Sequence, residues 1–287
     1  GVYALIALGY TMVYGILELI NFAHGEIYML GAYLGIIFLG FFTAIGLTSY
    51  SLPLALALTF VLSIVFCSAY GFTIEKTAYK PLRNASRLSP LISAIGVSIF
   101  LQNYVMLTQG ATDKVFPHLF EETGFEMQGM TFTYIQIFII VVSAALMMFL
   151  NLFITKTRMG KAMRAVAQDK TMASLVGINI DTVISVTFVI GSGLAAVAGL
   201  MVAMYYGLVN YSIGYIAGIK AFTAAVLGGI GSIPGAMFGG ILLGLVESLS
   251  SSYISPEYKD AYAFIILIII LLIKPSGLFG KAHEEKV

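Results

Sequence analysis

Charge, cysteine and histidine are scarce in this chain, and each scarcity closes off a class of function. Only 10% of the 287 residues are charged, against about 25% in soluble domains. With 59% hydrophobic residues and a mean hydropathy of +0.96, the chain reads as an integral membrane protein. The net charge of +1 sits in clusters between apolar blocks, so no basic face is offered to nucleic acid. A single cysteine, Cys67, excludes an intrachain disulfide. His24, His118 and His283 stand too far apart for metal-ligand spacing, and no cofactor is expected. There is no Gly-x-x-x-x-Gly-Lys-Ser/Thr loop to cradle a nucleotide, so any use of ATP has to come from another chain. Neither a Gly-x-Ser-x-Gly elbow nor a His-Glu-x-x-His pair occurs, and nothing argues for an enzyme. The first residue is Gly1, already inside an apolar run, and further residues before it are expected.

What is present is a series of apolar blocks. A hydrocarbon core of about 30 Å takes roughly 20 helical residues to cross. Blocks of that order run over Val2 to Ile20, Ile27 to Leu47, Leu52 to Phe72, Leu88 to Leu107, Tyr134 to Ile154, Val183 to Tyr206, Ala236 to Ile254 and Ala261 to Ile273. The predicted fold is an all-α polytopic membrane protein with about eight transmembrane helices. Ile216 to Ile230, too short to span upright and ending in the glycine-rich "GGIGSIPG", is read as a re-entrant or half-spanning element. The connections are too short for an independent core, so residues 1–287 form a single transmembrane domain.

Charge orients the blocks. Lys76, Lys80, Arg83 and Arg87 sit in one connection, and Lys156, Arg158, Lys161, Arg164 and Lys170 in the connection 156–182, so both are placed inside. The loop 109–133, with Asp113, Glu121, Glu122 and Glu126, is placed outside. Lys274, Lys281 and Lys286 put the C-terminal tail inside, and three long crossings between Val183 and Ile273 are taken to satisfy that.

Polar residues within the apolar blocks are the candidate functional groups. Asn21, Phe22, Ala23, His24, Gly25 and Glu26 interrupt the first two blocks. A charge at the centre of a membrane helix costs on the order of 2.5 to 3.5 kcal/mol on the insertion scale, so these groups cannot all face lipid from a regular helix. Gly25 permits a break, and the run Gly228, Gly229, Gly231, Ser232 offers a second one. Irregular backbone is tolerated at depth only where protein or water covers it, so both runs are expected to line a translocation path near its inner gate. The plainer alternative makes Asn21 to Glu26 a cytoplasmic turn, with Asn21 capping and Glu26 at a helix start. Glu247 lies with Ser250 and Ser251 in "ESLSS" and either faces the same path or is solvated near the outer surface; Lys220 is expected to snorkel there. Spacings such as Gly31/Gly35 and Gly235/Gly239 favour close helix contact.

The inner segment "TKTRMGKAMRAVAQDKTMASLVGINIDT" reads as two short helices with a corner, Asp169 capping the second and Gly177 closing it. Met172, Leu175 and Val176 form an apolar set on a basic loop outside the bilayer, which calls for a partner or a lipid surface.

The strings "INFAHGEIYMLGAY", "LISAIGVSIFLQNYV", "RAVAQDKTMASLVGIN", "AFTAAVLGGIGSIPGAM" and "SPEYKD" together resemble the permease subunits of bacterial branched-chain amino-acid ABC importers, of the LivH type, over Tyr3 to Gly280. That resemblance implies a pore-forming subunit of the bacterial inner membrane, paired with a homologous second permease. Two cytoplasmic ATPase subunits drive it, and a periplasmic binding protein supplies leucine, isoleucine or valine. It also implies that the inner loop docks into the ATPase as a coupling helix. Ala173 and Gly177 occupy its Ala-x-x-x-Gly signature, with Arg164, Gln168, Asp169, Met172 and Leu175 around them. The fuller pattern opens Glu-Ala-Ala where this chain has Thr171, Met172 and Ala173, so the Glu contact is not carried over. A bulky residue at Ala173 or Gly177 is expected to uncouple the ATPases while leaving the membrane helices folded. Related permeases for amides or urea remain alternatives on substrate. An ion-coupled carrier, with Glu18, Glu26 or Glu247 binding the ion, is the alternative from another class.

Overall fold

A computed structural model describes residues 1–83, 85–86, 88–117, 124–127 and 130–280. Arg87, His118, Glu121, Glu122, Lys281, His283 and Lys286, on which parts of the charge argument rest, lie outside the described residues.

Each apolar block becomes a helix: α1 (Val2–Leu17), α2 (His24–Ala44), α4 (Leu52–Ile74), α5 (Leu88–Gln109), α6 (Tyr134–Lys156), α9 (Ile180–Tyr206), α11 (Ile233–Tyr253) and α12 (Lys259–Ile273). The glycine-terminated stretch is α10 (Ile213–Gly228), and α3 (Leu47–Tyr50) is a single turn. Among the described residues six helices are long and apolar enough to cross a bilayer, with α1 and α10 shorter. At 16 residues α10 rises about 24 Å, short of the hydrocarbon thickness. The all-α reading holds, and among the described residues four short strands lie only in connections: β1 (Lys114–Val115) pairs with β4 (Leu208–Val209), and β2 (Gly124–Met127) with β3 (Met130–Thr133), all on the segments following α5 and α9.

Helix α9 is the centre. Its run Gly191, Ser192, Gly193, Leu194, Ala195, Ala196, Val197, Ala198, Gly199 is buried, and small side chains let α1, α2 and α4 approach its backbone. A side chain on Gly31 would strike the backbone of Ala196, and one on Gly71 would strike Ser192. The small-residue spacings read from the sequence serve this closeness, since Gly235 meets Gly228 and Gly239 meets the Ala224 carbonyl.

These contacts also fix direction. Gly9 of α1 meets Gly191, while Gly1 and Met201 both meet Ser143, so α1 runs antiparallel to α9. Gly31 at Ala196 and Gly35 at Leu200 make α2 parallel to it. Gly228 at Gly235 and Ala224 at Gly239 set α10 against α11. Two ends on one side of a membrane require an even number of passages between them, so three crossings from Val183 to Ile273 could not have brought the tail inside. The alternation α9, α10, α11, α12 restores the count, and α10 makes its partial passage after the chain has descended from the end of α9. The two basic connections do meet at one end of the molecule: Lys80 lies 2.6 Å from Asp181, and Lys76 donates to Ser185 at 2.9 Å.

Candidate functional site

The interrupted stretch lies at depth. Helix α1 stops at Leu17, with Glu18 in the left-handed conformation (φ 58°), and the chain turns back before α2 begins at His24. His24 packs against Gly9 and Gly191, with its ring 4.9 Å from that of Tyr10. Gly9 is about 12 Å of helix rise from Leu17, and Gly191 about 16 Å from Ile180. Helix α2 therefore starts well inside the bundle. The local features of the plainer alternative hold all the same: the Asn21 side-chain oxygen accepts from the Ala23 N–H at 3.1 Å, and Glu26 sits in the first turn. What differs from a surface turn is burial, since Asn21, His24 and Glu26 are each about 1% exposed and Ala23 is fully buried.

Each polar group is held by a different element. Tyr79 donates its hydroxyl to Asn21 at 2.7 Å, and Ser98 of α5 donates to Glu26 Oε1 at 3.1 Å. Asn21 Nδ2, His24 Nε2 and Glu26 Oε2 meet no hydrogen-bond partner. Phe22 is half-buried against Phe222, and Gly25 lies on the Gly214 carbonyl and Gly218 of α10. A carboxylate at a helix start gains about 0.3 to 1 kcal/mol from the aligned peptide dipoles, and a hydrogen bond to a charged group adds about 1.5 to 3; the second oxygen, Oε2, has no donor of its own.

The second run is tied down differently. Gly228 packs on Gly235, and Gly229 (φ 103°) is covered by Gly280, where the N–H groups of Leu278 and Phe279 donate to the carbonyls of Leu227 and Gly228. Gly231 (φ 86°) is exposed and adjoins Gly15, and Ser232 caps α11 by accepting from the Gly235 N–H at 3.2 Å. Ile20 and Ile230, beside the two runs, line one open apolar hollow together with Tyr10, Tyr14, Phe222 and Ala225.

Glu247 and Lys220 form a third group. Lys220 is not snorkelling at an interface: it is 4% exposed, 2.8 Å from Glu247 and 2.5 Å from Asp260, and receives the ring of Tyr3 at 5.7 Å. One cation thus ties α1, α10, α11 and α12 and compensates Glu247, whichever of the path or the outer surface that residue faces.

A further network was not foreseen as a unit. Helix α4 continues into a π-turn (Glu75–Tyr79) and a 3₁₀ turn (Lys80–Leu82). Glu75, fully buried, pairs with Arg83, lies 3.3 Å from Lys76 and accepts from Ser185 at 2.9 Å. Arg83 also pairs with Asp181 in the first turn of α9. The one Glu in a basic connection and the Asp at the head of an apolar block were the available signals. From Asp181 the bonds lead through Glu75 and the π-turn to Tyr79, and so to Asn21. π-turns inside α-helices are frequent at functional sites.

The inner loop folds as two helices at a corner. In α7 (Arg158–Gln168) Met163 and Val166 are buried toward the bundle, while Arg164 and Gln168 are exposed. Asp169 caps α8 (Lys170–Leu175) by accepting from the Met172 N–H at 2.9 Å, and Gly177 (φ 85°) ends it. Met172, Leu175 and Val176 project at 61%, 76% and 76% exposure, whereas Ala173 is 3% exposed. A bulky residue at Ala173 would thus press on the packing beneath α8 itself, unlike one at Met172 or Leu175.

Comparison with known proteins adds the whole-chain context. The profile of the family described as "Branched-chain amino acid transport system / permease component" matches residues 1–271. The chain is 53% identical over 289 residues to the high-affinity branched-chain amino acid transport system permease protein LivH of Escherichia coli K12, covering 99% of this chain and 93% of that one. It is 52% identical to BraD, the corresponding permease of Pseudomonas aeruginosa, covering 99% and 94%. It is 29% identical to a probable branched-chain amino acid permease of Methanocaldococcus jannaschii, covering 96% and 88%. No solved structure is significantly similar to it.

Proposed function

We propose, since the chain belongs to the branched-chain amino acid transport permease family, that it is the membrane-spanning subunit of an ATP-binding-cassette importer for leucine, isoleucine and valine. The observation that carries this is the near full-length identity of about half to two permeases of that description. It is a transport subunit rather than an enzyme. Its partners in this reading are a homologous second permease, two cytoplasmic ATPase subunits and a periplasmic amino-acid-binding protein, assembled in the bacterial inner membrane.

The exposed Met172, Leu175 and Val176 support ATPase docking, because an apolar face on a basic loop is stable in water only when covered. Motion delivered there reaches the base of α9, and the Asp181, Arg83 and Glu75 pairs offer a route from that base to Tyr79 and Asn21. In this reading the inner gate is formed around residues 21–26 and 228–232, with polar groups standing in for water around the passing headgroup. An ion-coupled carrier would need no such docking face.

Two measurements test the reading together. Tagged chain purified from its native membrane should bring ATPase subunits with it, and leucine uptake into proteoliposomes should require ATP, those subunits and the binding protein. Uptake by the permease alone under an ion gradient would defeat it.

A further inference from the structure

We propose that Glu26 is the group that receives the ammonium of the amino acid in transit, an assignment that rests on the transport reading above. Its basis is a contrast. Among the described residues three carboxylates are buried, and two of them have cations: Glu75 has Arg83 and Lys76, and Glu247 has Lys220. Glu26 pairs with no cation among the described residues. Its Oε1 accepts the Ser98 hydroxyl, and its Oε2 is sealed from solvent without a donor.

The surroundings suit a small cation with several donors. The first methyl of any side chain at Gly214 would lie 2.5 Å from Glu26 Oε2 and 2.7 Å from the Gly25 carbonyl oxygen. Two acceptors therefore converge on the bare α-carbon of α10's first turn, and α10 rests there because Gly25, Gly214 and Gly218 carry no side chains. An ammonium offers three donors and no acceptor, which complements a carboxylate oxygen beside a carbonyl. A small outward shift of the start of α10 opens the place it needs. Gly214 and Gly218 are buried against Gly25 and Glu26, so the place opens only when the start of α10 parts from them. The Tyr10 hydroxyl lies beside Gly218, and the Tyr10 ring also lines the hollow shared with Tyr14, Ile20, Phe222, Ala225 and Ile230. Phe222, the nearest residue of that hollow on α10, is about 12 Å of helix rise beyond Gly214, so Tyr10 links the surroundings of the carboxylate to the apolar hollow further along the helix.

The test compares the assembled transporter in proteoliposomes as wild type, Glu26→Gln and Glu26→Asp, with leucine uptake measured over a range of concentrations and assembly followed by size-exclusion chromatography. Glu26→Gln keeps the size of the side chain and a bond to Ser98 but removes the charge, and uptake should fall by about tenfold or more, as expected for losing a charged hydrogen bond. Glu26→Asp keeps the charge one methylene further back and should raise the half-saturating leucine concentration. Uptake by the Gln variant within about twofold of wild type overturns the proposal. Should that variant fail to assemble, an Asp variant with unchanged half-saturation overturns it equally. Uptake that depends on sodium in the wild type and loses that dependence in Glu26→Gln would give the carboxylate to an ion instead, and also overturns it. A wild type that carries some other solute and no leucine defeats the substrate reading separately; an equal loss on Glu26→Gln for a solute with no ammonium would then overturn the Glu26 assignment.

Discussion

Replacing Arg83 with methionine should orphan Glu75, and the structure sets the size of the effect. Removing one partner of a buried ion pair costs about 3 to 5 kcal/mol, chiefly because the other charge stays buried. The Glu75 side chain is fully buried, but it keeps Lys76 at 3.3 Å and the Ser185 hydroxyl at 2.9 Å, so the lower end applies and is reduced further, to about 2 kcal/mol. The other half of the Arg83 fork meets Asp181, whose side chain is 47% exposed. Solvent screens that pair, which contributes at most about 1 kcal/mol. Arg83→Met should therefore cost about 2 to 3 kcal/mol in total, and Asp181→Asn less than about 1.

At roughly 2 to 4 °C per kcal/mol for a chain of this size, thermal denaturation of the detergent-purified protein should fall by about 5 to 10 °C for Arg83→Met and by under about 4 °C for Asp181→Asn. The decisive measurement is the double mutant. If the cost is an uncompensated charge, Glu75→Gln in the Arg83→Met background should recover about half of the loss, a coupling well beyond the few tenths of a kcal/mol seen for independent sites. Equal losses for Arg83→Met and Asp181→Asn, or strict additivity of Arg83→Met with Glu75→Gln, would refute the reasoning.

The other expectations follow from burial and contact. Met172→Asp or Leu175→Asp should leave the denaturation temperature of the isolated permease nearly unchanged yet abolish copurification of ATPase subunits, whereas Ala173→Trp should lower that temperature, because only Ala173 of the three is buried; intact association in both Asp variants would remove the docking assignment. Gly31→Val should prevent close approach of α2 to Ala196 and reduce folded yield sharply, while Gly40→Ala, with nothing near its α-carbon, should be neutral or stabilise by up to about 1 kcal/mol, as fluorescence-detected size exclusion can show. Lys220→Met should leave Glu247 and Asp260 facing each other without a cation and destabilise more than Asp260→Asn, whose side chain is half exposed. Native Cys67 is buried, so a hydrophilic thiol reagent should read only introduced cysteines: Ser232→Cys should react at rest and Ala23→Cys only when ATP binding opens the gate. Protection of Ala23→Cys in every state would count against a gate there.

The helices were legible because each needs only its own apolar run. The ruler of about 20 residues places α4, α5, α6 and α9 nearly to the residue, and the positive-inside bias brings the Lys76 to Arg83 and Lys156 to Asp181 connections to one end. The site was legible only as an anomaly. A buried polar run had to be interrupted and covered, yet its partners Tyr79 and Ser98 lie 58 and 72 residues away from Asn21 and Glu26, a separation that periodicity does not encode. The same distance hid the compensation of charge. Lys220 read alone is a cation needing water, and Glu247 read alone an acid needing either water or a path; 27 residues apart on antiparallel helices, they neutralise each other. That outcome is what gives Glu26 its meaning. Among the described residues tertiary structure matches the other two buried acids with cations and leaves Glu26 without one, and the Glu26→Gln and Glu26→Asp variants test whether a cation in transit fills that place.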